Sequence, residues 1–65
     1  MARRVRGLLA EHRVTGFELA RRTGWSQAYV SRRIRGKVAW RADDLPVIAE
    51  ALGIDAADLL PERAA

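Results

Sequence analysis

Cysteine is absent from this chain, which removes any disulfide framework and any thiolate metal site. The single histidine, His12, has no companion ligand and no neighbouring nucleophile. It reads as a partly buried structural residue, favourable near a helix C-terminus. No apolar run approaches the roughly 20 residues of a membrane span. Val5 to Ala10 is too short and interrupted for a signal-peptide core. No phosphate-cradling glycine loop, nucleophile–base pair or metal cluster is present, so an enzyme is not expected, nor any cofactor, metal or small-molecule ligand. At 65 residues the expected organisation is one domain spanning 1–65. A chain of that size buries only about 60% of its unfolded surface. The expected compartment is a reducing cytoplasm.

What the chain does have is charge, unevenly spread. Residues 1–41 carry eleven of the twelve Lys and Arg against two of the eight acids, a net +9; residues 42–65 carry one cation and six acids, a net −5. That split directs a polyanionic partner to one end of the molecule.

Helical periodicity organises the rest. Val5, Leu8, Leu9 and His12 form one face of a helix over about Arg3 to Arg13. Gly7 lowers its propensity, so packing must hold it. Thr15 caps a second helix, Gly16 to Thr23, with Glu18 completing a capping box and Gly24 stopping it. Ser26 caps a third, Gln27 to Arg35, which ends at Gly36. Asp43 or Asp44 starts a fourth, with Pro46 tolerated in its first turn, Leu45, Ile48, Ala49 and Leu52 facing inward, and Gly53 ending it. A fifth, short helix runs from Ala56 to Leu60 before Pro61. One hydrophobic staple recurs at three helix starts: Val14 with Leu19, Trp25 with Val30, and Ile54 with Leu59.

Two helices separated by about three residues at Gly24 make a helix-turn-helix over about 15–36, whose second helix suits the major groove of DNA. At about 100° per residue, Val30 and Ile34 define that helix's buried stripe. Ala28 and Arg32 lie opposite, Tyr29 and Arg35 flank them on the exposed side, and Arg33 sits at the border. Gln27 lies at the N-terminus, within reach of a phosphate or an adenine. Arg32 has the geometry to donate two hydrogen bonds to guanine. Arg3 and Arg4 are placed to form a short N-terminal arm. Arg21 and Arg22, late in helix 2, are aimed elsewhere. Trp25 reads as core. Trp40, in a basic loop, closes the core edge, seats against a second subunit or flanks DNA.

With these residues in order, the chain resembles the lambda repressor/Cro-type (XRE-like) helix-turn-helix family. The likeness covers about Val5 to Leu60 and is most specific in ELARRTGWSQAYVSRRIRGK, followed by LPVIAEALGIDAADLL. It implies an all-α, compact five-helix fold. It also implies that Gln27, Ala28 and Arg32 read bases, with Tyr29 beside them, and that Arg35, Lys37 and Arg41 lie along phosphates. Gly16, Ser26, Ser31, Arg3 and Arg4 complete the expected phosphate set. Two positions depart from the family pattern: Gly16 stands where glutamine is frequent, and Arg33 where an apolar residue is frequent, leaving Ile34 to fill the core.

The function this implies is sequence-specific binding of double-stranded DNA by a small Cro-like regulator, a phage or prophage repressor occluding a promoter. The partner is a two-fold symmetric operator bound by a homodimer, formed in solution or only on DNA, with its interface around Trp40 and the last helix. The chain leaves no room for a ligand-sensing or self-cleaving domain. Two competing classes are an antitoxin-type protein-interaction module and an excisionase-like recombination accessory factor that bends DNA.

Overall fold

Four α-helices and a closing 3₁₀ turn make up the computed structural model, which describes residues 1–59. Helix α1 is Ala2–Glu11, α2 Gly16–Thr23, α3 Gln27–Ile34 and α4 Asp44–Leu52; the 3₁₀ turn is Ala56–Leu59. The described residues contain no strand. Where a fifth α-helix is expected there is one 3₁₀ turn packed on α4, and the expected end at Leu60 lies outside the described residues.

Local signals set the starts of α2 and α3. Thr15 Oγ1 accepts from the Glu18 N–H at 3.0 Å, and Ser26 Oγ accepts from the Tyr29 N–H at 3.0 Å. Each such cap contributes about 1 kcal/mol. The box at Thr15 is only half made: the Glu18 carboxylate turns away to Arg21 and Arg22 rather than back to the cap. Two guanidinium groups one helical turn ahead offer charge-assisted bonds, which outcompete a single backbone N–H.

Helix ends follow the same local logic. At the end of α1 the Val14 N–H reaches Leu9 O at 2.8 Å and the Arg13 N–H reaches Ala10 O at 3.1 Å. This Schellman closure puts Arg13 in the left-handed region at φ 56. The reversal carries His12 off the apolar stripe, so it is exposed, contrary to its reading as partly buried. Gly24, at φ 84, makes the turn between α2 and α3 without the cost a side chain would add.

The core lies where the four helices converge. Val5 and Leu9 of α1 meet Leu19 and Ala20 of α2, Val30 of α3, and Ile48, Ala49 and Leu52 of α4, with Val14, Leu45 and Leu59 closing the edges. A fully buried Leu or Ile such as Leu19, Ile48 or Leu59 contributes roughly 2 kcal/mol, so burial outweighs the caps. Trp40 is 7% exposed and belongs to this core. That agrees with the core-edge alternative among its three. Trp25 is half-buried, with its ring centroid 5.9 Å from that of Trp40.

Candidate nucleic-acid interface

Helix α3 is the element on which the candidate site is built, and its rotation decides which side chains face out. Val30 is buried, and the second buried position is Arg33, at 9% exposure, not Ile34, which is half-buried. The buried stripe therefore sits nearer Tyr29 and Arg33 than the apolar pattern suggests. Gln27, Ala28, Arg32 and Arg35 stay exposed on the opposite side.

The inward side is held by a polar cluster. The Tyr29 hydroxyl donates to Asp44 Oδ1 at 2.8 Å, and the Arg41 N–H donates to Asp44 Oδ2 at 2.9 Å. The Arg33 guanidinium lies 3.5 Å from the centre of the Tyr29 ring, donates from Nη1 to Tyr29 O at 3.1 Å, and brings Nε to 3.9 Å from Asp44 Oδ2. Trp25 packs against Tyr29, its ring centroid 5.1 Å from that of Tyr29. A guanidinium tolerates burial here because an aromatic face, a carbonyl and a carboxylate share its charge. The bond to Asp44, together with burial, holds the Tyr29 phenol above its ordinary value of 10.0.

Three expectations change as a result. Tyr29, read as exposed beside the bases, is half-buried and spends its hydroxyl on Asp44. Arg33 takes the core place assigned to Ile34. Asp43 stands at the N-cap of α4 but makes no side-chain capping bond, and Asp44 is drawn into the cluster.

The cations divide in the same way. Arg21 and Arg22 pair with Glu18, and Arg22 also donates to Ala51 O at 2.9 Å, tying α2 to α4. The two guanidinium groups hold the Glu18 carboxyl at about 2, well below its usual 4.5. Arg4 donates to the Asp58 carbonyl at 3.1 Å. Arg3 and Arg4 are no flexible arm, since α1 begins at Ala2 and backbone hydrogen bonding starts at once, with the Val5 N–H on Met1 O. By contrast Arg3, Arg32, Arg35, Lys37 and Arg41 are exposed, and their side chains make no hydrogen bond or ion pair among the described residues.

A groove runs between the start of α2 and the outer side of α3, lined by Gly16, Phe17, Gln27, Ser31, Ile34 and Arg35, with Val30 beneath. The geometry explains Gly16: a Cβ there would sit 3.0 Å from Ile34 Cδ1 and 3.7 Å from Val30 Cγ1. A side chain there would require the end of the Ile34 side chain to shift by a few tenths of an ångström. At the start of α2 the Glu18 N–H is taken by Thr15, while Gly16 and Phe17, whose N–H groups have no intrahelical partner, line this groove. Ser26 is exposed and caps α3, while Lys37 and Arg41 flank the loop leading to α4. That loop leaves α3 beside the start of α1, where the nearest neighbour of a Cβ built on Gly36 is Ala2 Cβ, at 3.9 Å.

Sequence reasoning overlooked Phe17 and Asp44. Phe17 signals itself only as an apolar residue off the inward face of α2. The Tyr29–Arg33 pair was legible in its i,i+4 spacing, but their carboxylate partner lies on another helix, outside any local pattern.

A family model for Cro/C1-type HTH DNA-binding domains matches residues 4–61. No curated protein and no solved structure matches the chain.

Proposed function

The chain belongs to the Cro/C1-type helix-turn-helix DNA-binding family, and from that premise we propose that it is a small, sequence-specific regulator that lays α3 in the major groove of an operator. The observation that supports this reading most directly is the sorting of charge. Four arginines are spent within the protein, on Glu18, Asp58 and the Asp44 cluster, while those on the outer side of α3 and in the loop after it are exposed and make no ion pair among the described residues. Exposed, unpaired arginines on one helix face suit an anionic partner.

In this reading Arg32 donates two bonds to O6 and N7 of a guanine, a contact worth about 1–3 kcal/mol of discrimination. Gln27 reaches an adenine or a phosphate from the helix start, and Ala28 leaves room for a thymine methyl. Arg35, Lys37, Arg41 and Arg3, with the backbone at Gly16 and the hydroxyls of Ser26 and Ser31, fix the register on phosphates. Tyr29 supports α3 from within. One α3 reads too few base pairs for genomic specificity, so two copies bind half-sites about one helical turn apart, in a two-fold operator. Repression then comes from occluding a promoter, as in a phage or prophage regulator.

Selection of bound fragments from random duplex DNA, with the wild type and Arg32→Ala in parallel, tests the reading. A symmetric motif for the wild type, relaxed at one G·C position in the variant, is the expected result. Enrichment of no motif by either protein overturns it. With about five phosphates neutralised, log K should fall against log salt with a slope near −4.5.

A further inference from the structure

Phe17 is 62% exposed, the most open of the large apolar side chains among the described residues. It adds nothing to the core, since α2 turns Leu19 and Ala20 inward and Phe17 outward. Its position ties it to α3: Phe17 and Gly16 form one wall of the groove whose other wall carries Gln27, Ser31 and Arg35.

We propose that Phe17 contacts DNA, its ring resting on the apolar face of a deoxyribose in the strand that passes along this groove. The inference rests on the reading of α3 as the recognition helix. Arg35 and the first N–H groups of α2 offer sites for phosphates around the groove, and the surface a strand presents between successive phosphates is the C–H face of a sugar. An apolar ring set among phosphate-binding groups therefore meets sugar, while base edges fall to the middle of α3. Charge distinguishes this occupant from a second protein copy. A strand brings anions to Arg35, which makes no ion pair among the described residues, whereas an apolar protein surface would bury that guanidinium without a counter-charge.

Phe17→Ala, measured against the wild type on the selected operator, tests the proposal. Affinity should fall about tenfold, in keeping with loss of a partly buried ring. The salt slope should not change, because no phosphate contact is lost. Thermal stability should hold, because the residue is exposed, and Phe17→Leu should recover part of the affinity. A duplex with uracil in place of thymine should leave the wild-type-to-variant ratio intact, since only the methyl group differs.

Equal binding by Phe17→Ala and the wild type overturns the proposal. A ratio that collapses on the uracil duplex moves the contact to a thymine methyl and also overturns it. So does a variant whose self-association changes while its affinity per protomer does not. A wild type that binds no duplex defeats the recognition-helix reading as well, whereas failure of the Phe17 effect alone leaves that reading standing.

Discussion

The turn between α2 and α3 and the junction between α3 and α4 orient the same helix by different means. At the turn, Gly24 and Ser26 act within three or four residues of themselves, through one left-handed glycine and one cap. At the junction, Tyr29 and Arg33 depend on a carboxylate 15 and 11 positions further along the chain, and Arg33 Nε is buried without a hydrogen bond among the described residues. The turn determines that α3 exists and where it begins. The junction determines which of its faces is buried, and so which side chains are presented outward. Short-range caps are each worth about 1 kcal/mol; a buried charged group that loses its partner costs several times that.

The largest effect that would test this contrast comes from Asp44→Ala. It strands the Tyr29 hydroxyl, the Arg41 N–H and the buried Arg33 together, at an expected cost of about 3 kcal/mol. Against the ~0.05–0.15 kcal/mol per residue typical of folded proteins, that is a large share of this domain's stability. Arg33→Met fills similar space and leaves Asp44 its bonds from the Tyr29 hydroxyl and the Arg41 N–H. It removes the cation facing that buried carboxylate, so it should cost less than Asp44→Ala, about 2 kcal/mol. Denaturant titration of both variants measures the difference, and equal losses would break the contrast. A smaller effect of opposite sign is expected at Gly7, where an added Cβ meets nothing within 4 Å. Gly7→Ala should stabilise α1 by about 1 kcal/mol, seen as a melting temperature raised by roughly 4–8 °C. This change acts through local propensity alone and should leave DNA affinity unchanged.

The smallest effect belongs to Glu18, on the exposed, local side of the comparison. Its carboxyl sits at about 2 in the folded protein against an ordinary 4.5. The stability it contributes is therefore complete above about pH 4.5 and is lost as the pH falls toward 2. Glu18→Gln should flatten that acid limb of the stability curve, and added salt should weaken the wild-type limb by screening an exposed pair. A wild-type carboxyl titrating near 4.5 by NMR would show that Arg21 and Arg22 do not hold it.

Much of the fold could be read along the chain, because its signals are short-range. The span of α2 is the same in sequence and structure, and Thr15, Gly24, Ser26, Gly36 and Gly53 mark helix ends. The outward placement of Gln27, Ala28, Arg32 and Arg35 was legible as well, since it follows from helical angle. Errors gathered where a side chain had a choice of partner. Glu18 chose two arginines over its own cap, Arg4 chose the Asp58 carbonyl over solvent, and Tyr29 chose Asp44 over the exposed face. His12 was misplaced for a related reason, because one left-handed residue at Arg13 ends the helix before the apolar stripe does.

The sequence by itself determined α2 and α3, their caps at Thr15 and Ser26 and the tight turn between them, since each depends on neighbours within about one helical turn. Tertiary structure alone decided that an arginine fills a core position of α3, that Trp40 is core, and that Ile34 closes on Gly16, where a Cβ would lie 3.0 Å from Ile34 Cδ1. Those outcomes depend on which surfaces meet. Burial and long-range hydrogen bonds, not propensity, set the energy there.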